Sequence, residues 1–351
     1  MEYDAFLLVS FGGPEGPDDV IPFLENVTRG RGVPAERLAE VAEHYRHFGG
    51  VSPINAQCRA LLAALRAEFP RAGIDLPIYW GNRNWHPLLE DTVAQMRNDG
   101  VRRAIAFVTS AVGSYSSCRQ YWDDIAQSQA AVGFDAPEID KIRHFHDHPG
   151  FVLPHAEAVT AALNTLPERA PARTRIAFTA HSIPSAMDAN SGPDGGRYSA
   201  QLRETAELVA GAAAPELAWD LVWQSRSGPP QVPWLGPDIS DHLETLAAAG
   251  ITNVVISPIG FVSDHLEVIW DLDNEAAETA RKLGLNVARA ATPGTDPRFV
   301  AMVRDLVLER LDPATPRHAL GRVPTWDVCP AGCCPAPRRV ASMSERTEAS
   351  S

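Results

Sequence analysis

No apolar run in this chain approaches the roughly 18 residues that a membrane-spanning helix requires. The start, Met1-Glu2-Tyr3-Asp4, is acidic and lacks the basic region of a secretory leader. Both absences lead to the expectation of a cytoplasmic protein. Positive charge is also short: 31 Lys and Arg stand against 44 Asp and Glu, a formal charge of −13. Such a surface repels phosphates, so nucleic acid is not an expected partner. Cysteine is scarce, with five in 351 residues. A chain of this length has no need of disulfide staples, and no leader directs it to an oxidising compartment. No Walker A sequence occurs, and no Gly-x-Gly-x-x-Gly follows the first apolar run, so nucleotide binding has no support.

What cysteine there is lies together. Cys329, Cys333 and Cys334 fall within six residues, in Trp-Asp-Val-Cys-Pro-Ala-Gly-Cys-Cys-Pro. Clustered thiolates suit a soft metal centre. Such a centre needs a fourth ligand, which leaves Cys58 or Cys118, both far away in sequence. A tail reaching back to either would pin itself onto the body of the protein.

Apolar residues make up 45% of the chain, ample for a sizeable core, and the length suits about two domains. Short β-branched runs alternate with longer amphipathic ones. Strands are expected over 4–10, 76–81, 103–110, 138–142, 174–180, 218–224, 252–257 and 285–290. Helices are expected over 17–27, 34–47, 54–69, 88–99, 118–131, 150–165, 197–213, 238–249, 265–283 and 297–311. This alternation implies α/β architecture: two doubly wound, Rossmann-like domains, each with a four-stranded parallel sheet. The domains are expected over 1–150 and 151–312, followed by a cysteine-bearing tail over 313–335 and a polar, disordered end over 336–351. No internal repeat in the sequence proves duplication.

Open parallel sheets bind ligands at the carboxyl ends of their strands. His181 ends one expected strand, where a histidine can act as base or metal ligand, or simply cap its loop. Ser257-Pro-Ile-Gly-Phe-Val-Ser-Asp-His-Leu-Glu267 is denser. It leads into a helix carrying Glu267, Asp271 and Glu275, a spacing of four that puts three carboxylates on one face. The row is either a solvated face or a track of hard oxygen ligands for a divalent cation. His181 and Glu267 arise at the same sheet edge, so they can converge on one cleft. Gln224-Ser-Arg-Ser-Gly-Pro-Pro-Gln-Val-Pro-Trp234 reads as a rigid loop with Trp234 at its tip.

Three of these blocks, Phe-Thr-Ala-His181-Ser-Ile-Pro, Gln224-Ser-Arg-Ser-Gly-Pro with Pro-Trp234-Leu-Gly-Pro, and Ser-Pro-Ile-Gly-Phe261-Val-Ser-Asp-His265-Leu-Glu267, resemble the signature blocks of the ferrochelatase family. Leu-Leu-Val-Ser-Phe11-Gly-Gly-Pro and Gly49-Gly-Val-Ser52-Pro-Ile-Asn are similar to family segments as well. The resemblance runs in order from residue 4 to about 311. It implies a chelatase-like fold with a porphyrin cleft between two domains, and insertion of Fe²⁺ into a porphyrin in haem biosynthesis. It implies catalytic roles for His181 and Glu267, an acidic ridge of Asp271 and Glu275 relaying the metal, and macrocycle contacts at Ser52 and Tyr121. Some bacterial members carry tyrosine at the position of Phe11, where it can ligate the product iron. Phe11 can only pack against the ring, with Trp234 and Phe261 as further apolar walls.

A subset of the family holds a [2Fe–2S] cluster on one internal and three C-terminal cysteines. The resemblance places Cys118, Cys329, Cys333 and Cys334 in those roles, although Cys-x-x-x-Cys-Cys departs from the animal pattern. Cys58 falls inside an expected helix and reads as a buried apolar residue. A four-cysteine zinc site is the rival. Lacking an apolar lip or membrane anchor, the chain is expected to take coproporphyrin III, with protoporphyrin IX as the alternative. Arg29, Arg31 and Arg46 are candidate partners for propionates. The same residues would also suit a non-enzymatic haem or iron–sulfur carrier, or a chelatase for another tetrapyrrole or for Co²⁺. A monomer in transient contact with neighbouring haem-pathway enzymes is expected.

Overall fold

A computed structural model describes residues 3–30, 32–167, 170–228 and 230–337. The chain opens with β1 (Ala5–Ser10), whose six residues are all buried. A strand apolar on both faces belongs in the middle of a covered parallel sheet. After a 3₁₀ turn at Pro17–Asp19 come α1 (Val20–Val27), α2 (Ala35–His47) and α3 (Pro53–Glu68). The first half continues with β2 (Ile78–Asn82), α4 (Leu89–Asn98), β3 (Arg103–Val108), α5 (Gln120–Val132), β4 (Glu138–Lys141) and α6 (Pro149–Thr165). The second sheet begins at β5 (Thr174–His181), followed by α7 (Ser185–Ala189), α8 (Arg197–Ala213), β6 (Ala218–Gln224), α9 (Ile239–Ala248) and β7 (Asn253–Ser257). It ends with α10 (Leu266–Ile269), a π-helical segment (Trp270–Ala276), α11 (Ala277–Leu283), β8 (Asn286–Arg289) and α12 (Pro297–Leu311).

Both sheets are four-stranded and wholly parallel, ordered β2-β1-β3-β4 and β6-β5-β7-β8. In each, the chain moves outward one way from the first strand and then returns to its other side. That reversal opens a crevice beyond the first and third strands, the switch point where such folds hold ligands. In the second sheet it lies between β5, which ends in His181, and β7, whose following loop leads to Glu267. Register fixes the pair of strands, with Phe178 opposite Ser257.

The largest core gathers Phe6, Phe107, Phe145, Phe151 and Phe299, all 2% exposed or less. Phe107 stacks on Phe145 at 5.1 Å. Each buried ring contributes roughly 2–3 kcal/mol. Helix α12 comes last in this series yet packs against α3 and α6, so Phe299 to Val307 complete the core beneath the first sheet. Arg143, beyond β4, grips its end: Nε and Nη2 donate to the Glu309 carboxylate at 2.7 and 2.9 Å, with the two side chains 1% and 3% exposed.

Two helices differ from their sequence pattern. The expected helix 265–283 is three pieces, because a π segment replaces its middle with wider turns. The expected helix from 118 begins at Gln120, with Cys118 instead inside the short π turn Tyr115–Arg119. Among the described residues no helix is long and apolar enough to cross a membrane. Of the end expected to be disordered, 338–351 lie outside the described residues.

Candidate active site

His181 is held at the mouth of β5 by its main chain and its ring. Its carbonyl accepts the Tyr198 hydroxyl at 2.7 Å, and Nδ1 bonds the Ser182 carbonyl at 2.5 Å. That leaves Nε2 facing Glu267, 3.7 Å from Oε1. The approach depends on the turn after β7. Gly260 donates its N–H to the Thr179 carbonyl, and a Cβ there would lie 2.7 Å from that of Ala180. Only glycine lets the β7 loop lie this close to β5. The side chains are partly open, at 34% and 40% exposure, so both can be reached from solvent.

Charge binds the pair together. Burial draws the His181 imidazole down, but Glu267, the Ser182 carbonyl and Asp271 outweigh it and hold it above its ordinary value. Burial pushes Glu267 up, yet His181 and His265 keep it below the usual range. Asp271 behaves differently. Burial and the neighbouring charge of Glu267 push it up to about 7, against bonds from Ser225 and Gln224. Glu275 adds its own charge and accepts the Trp270 indole N–H at 2.9 Å. Glu267 is therefore held ionised beside His181, while Asp271, one step out, keeps its proton more readily. Their spacing of four survives, although the widened turn between them sends Asp271 toward Ser225 and Glu275 toward Trp270. Such oxygens can pass a hard divalent cation toward His181.

Several site residues were not anticipated. Tyr45 on α2 is raised by burial and by the charges of Glu267 and Asp271, so α2 reaches over the carboxylates. His44 stacks flat on Trp270, 3.9 Å between centroids and 5° between planes, fixing α2 against the π segment. His265 sits beside the pair, its imidazole lowered by burial. Arg83 lies over the rings of Tyr121 at 4.5 Å and Phe11 at 5.8 Å, and pairs with Asp124. His265 belongs to the same sequence block as Glu267, and Arg83 to a strand-end loop; helix α2 gave no comparable signal.

The remaining expected contacts are scattered in character. Phe11 is exposed at 36%, with Phe23 edge-on to it at 6.3 Å and Arg83 over it. Ser52 is buried at the start of α3, and Tyr121 is buried under Arg83. Phe261 packs edge-on to His265 at 5.4 Å. Trp234 is not at a free tip: it pairs with Pro184 across an isolated bridge, and its indole lies against Gly228 with Nε1 buried and unbonded. Arg29 and Arg46 are exposed, and Arg46 bonds Glu43. Arg31 lies outside the described residues.

The four cysteines expected to act together fall into two pairs. Cys333 and Cys334 lie 3.6 Å apart, sulfur to sulfur. Cys118 lies beside Cys329, whose thiol, with the charge of Lys141, draws the Cys118 thiol well below its ordinary value. Cys334 adopts a positive φ of 53° and accepts the Gly192 N–H on its sulfur at 3.2 Å. Among the described residues the four sulfurs do not close into one compact set. The tight ligand-type group found is His146, Asp147 and Glu204. Its lone pairs are largely spent, since Glu204 accepts His146 and the main chain of Arg322 and Val323, fastening the tail. Cys58 is buried in α3 and its thiol is pushed up to about 11, mainly by burial, in keeping with an apolar role.

Comparison with known proteins fits this geometry. The family described as Ferrochelatase matches residues 3–311. A protein of Nocardia farcinica named coproporphyrin III ferrochelatase is 58% identical, covering 97% of this chain and 99% of its own. One of Streptomyces griseus with the same name is 56% identical over 95% and 94%. A Rhodopirellula baltica protein named ferrochelatase is 54% identical over 95% and 93%. Among solved structures, SirB of Bacillus subtilis with Fe³⁺ shares the fold, with TM-score 0.53 and 14% identity over 91% of this chain and 99% of SirB.

Proposed function

The chain belongs to the ferrochelatase family and inserts iron into a porphyrin; from that premise we propose that its porphyrin is coproporphyrin III and that His181 and Glu267 carry the chemistry. The substrate named for the Nocardia and Streptomyces relatives supports the first part. The second rests on one observation: His181 Nε2 and Glu267 Oε1 face each other at 3.7 Å at the switch point, backed by Asp271.

Insertion exchanges two pyrrole protons for one Fe²⁺. Neutral His181 takes protons from the ring, and Glu267, held ionised, stabilises the imidazolium that results. Asp271 and Glu275 offer exchangeable oxygens by which iron sheds water and approaches from one side. Phe11, Trp234 and Phe261 offer partly exposed rings to the macrocycle, Ser52 and Tyr121, both buried, back that wall from behind, and the exposed Arg29 and Arg46 meet propionates. In this reading residues 1–150 and 151–312 are the two jaws of the cleft. A cytoplasmic monomer in transient contact with pathway neighbours belongs to the same reading.

We also propose that Cys118, Cys329, Cys333 and Cys334 hold a [2Fe–2S] cluster. Two thiol pairs suit two irons with two cysteines each. A tetrahedral zinc would need all six sulfur separations near about 3.8 Å, from Zn–S bonds of about 2.3 Å. When bound, the cluster supplies a one-electron centre and ties the tail to the body. No step of insertion passes through it.

The test is an anaerobic insertion assay with Fe²⁺ and each porphyrin side by side. Coproporphyrin III should give the higher kcat/KM. The reverse order would assign protoporphyrin IX. No metalloporphyrin above the uncatalysed rate would leave only a binding protein.

A further inference from the structure

One buried stripe of α8 is polar, where a helix packed into a protein is normally apolar. Arg197, Gln201, Glu204 and Thr205 stand at i, i+4, i+7 and i+8, so they share a face. Arg197, Gln201 and Thr205 are buried, and the Glu204 side chain is 13% exposed. Buried polar groups need partners, and these reach theirs outside the helix's own sheet. Gln201 Oε1 accepts the Gly113 N–H at 2.7 Å, in the loop after β3. Thr205 donates its hydroxyl to the His146 carbonyl at 3.0 Å, in the segment after β4. Glu204 accepts His146 Nε2 at 2.8 Å and the main-chain N–H groups of Arg322 and Val323 at 2.5 and 3.0 Å. Arg197 donates to the Pro324 carbonyl and lies 4.0 Å over the Trp326 ring.

The tail therefore lies along the stripe as a strap. Leu320 donates its N–H to the Asp147 carbonyl at 2.9 Å, so residues 320–324 bond both α8 and the segment after β4. Gly321 is the tightest point: a Cβ there would lie 2.3 Å from Glu204 Oε2. The first turn of α8 joins this strap to the base. Arg197 reaches the tail, and Tyr198, next to it, reaches the His181 carbonyl at 2.7 Å. The loop ahead of them does not fix the helix against the first sheet. Its Gly192, Gly195 and Gly196 take φ of 76°, 79° and 66°, and the bonds it and α7 give that turn, from Ser191 and Asp188, are local.

We propose that Glu204 is a positioning residue for insertion: with tail residues 320–324 it closes the seam between α8 and the segment after β4, and so sets where Tyr198 holds the His181 end of β5. This role rests on the insertion reading above and on no metal at the cysteines. Loosening the strap should lower kcat and leave both substrates bound as before, since no wall of the cleft is altered.

The experiment compares the full chain with Glu204→Ala, which removes the acceptor, and Gly321→Ala, which wedges the strap away from the tail side and leaves the body untouched. Glu204→Gln, Tyr198→Phe and the double variant Glu204→Ala with Tyr198→Phe complete the set. Iron insertion is measured well below the melting temperature, and limited trypsin digestion follows cleavage after Arg322 by mass. Both alanine variants should be cut at least tenfold faster and lose at least fivefold in kcat, with KM for porphyrin and for Fe²⁺ within about twofold. Glu204→Gln keeps an oxygen for the tail and an amide for His146, so its kcat should stay within about twofold of wild type. Residues in one chain of contacts couple, so adding Tyr198→Phe to Glu204→Ala should cost less than about twofold more. Faster cleavage with full kcat in Gly321→Ala would overturn the proposal, even where Glu204→Ala does not fold. So would unchanged cleavage of Gly321→Ala, a raised KM for either substrate, or losses that multiply in the double variant. Wild-type protein that inserts no iron fells the insertion reading and this role with it; an active wild type beside a fully active, loosened Gly321→Ala fells this role alone.

Discussion

Tyr198 reaches from the first turn of α8 to donate its hydroxyl to the main-chain carbonyl of His181 at 2.7 Å. The tyrosine is 3% exposed and stacks on Trp223, so its position is fixed by packing. Buried in this way, it offers no open face to a ligand, but it holds the end of β5 from which His181 projects. Tyr198→Phe keeps the ring and removes one buried hydrogen bond, which should cost about 1 kcal/mol of stability. Its kcat should fall several-fold with porphyrin KM nearly unchanged, because the base is misplaced and the cleft is not. Steady-state kinetics well below the melting temperature test this. Full kcat in the folded variant would reduce Tyr198 to a packing residue.

The His181–Glu267 pair predicts a linked pH profile. His181→Ala should abolish insertion while porphyrin binding, followed by absorbance, persists. Glu267 holds the imidazole of His181 up, so wild-type activity should rise with pH as that imidazole loses its proton. Glu267→Gln removes the charge and keeps the shape. The acid limb of kcat should then move to lower pH even as the plateau drops by at least tenfold. An acid limb that stays in place would mean that another group governs it.

Burial and the charge of Glu267 push Asp271 up to about 7, and the proposed iron relay needs its ionised form. About one-tenth is ionised at pH 6 and nine-tenths at pH 8, so apparent KM for Fe²⁺ should fall roughly fivefold from pH 6 to pH 7. Asp271→Asn should raise KM and flatten this dependence. Ser225 bonds the carboxylate and draws it down, so Ser225→Ala should shift the curve to higher pH. The sign for folding is opposite. The folded value lies above the unfolded 3.8, so this group's stabilisation is complete below about 4 and is lost as pH rises through about 7. Iron KM measured across pH in wild type and Asp271→Asn settles the relay.

Both sheets were legible in the sequence because their strands are short apolar runs between amphipathic helices, and each survives within a residue or two at its ends. His181 and Glu267 were legible because strand mouths on one sheet edge must share a crevice. The π segment was not, since Trp270–Ala276 has the same composition as an α-helix and differs only in hydrogen-bond step. Tyr45, His44 and Tyr198 were missed for another reason. Each acts through a partner more than ten residues away in sequence, and helical spacing carries no trace of such contacts. Strand-end logic likewise found Arg83's loop but not its place over two rings.

Arg143 and Glu309 form a buried bidentate pair that also steadies the tail, since Arg143 Nη2 donates to the His318 carbonyl at 3.0 Å. Glu309→Gln strands a buried guanidinium and should cost about 3–5 kcal/mol. Replacing both by Met and Leu should recover much of that loss, as an apolar pair of similar volume leaves no orphaned charge. Urea unfolding of the single and double variants tests the cycle. Equal losses in both would show that shape, not charge, is what the site demands.

The thiol pairs predict a colour and a stoichiometry. Protein purified without oxygen should be reddish-brown, with two irons and two sulfides per chain, the content of one [2Fe–2S] centre on four thiolates. Cys118→Ser removes a thiol that Cys329 and Lys141 draw well down, so it deletes the ligand readiest to bind metal. It should lose the colour, as should serine at Cys329, Cys333 or Cys334. Cys58→Ser should keep it, because that thiol is held protonated in an apolar helix face. Loss of the centre should also loosen the tail beyond its anchors at His318, Arg322 and Val323 and lower the melting temperature, since metal binding is linked to folding. Insertion per folded molecule at low temperature should persist, as none of these sulfurs belongs to the His181–Glu267 pair. Metal analysis with sulfide assay decides the content. Zinc without sulfide, or colour that survives Cys118→Ser but not Cys58→Ser, would discard this ligand set.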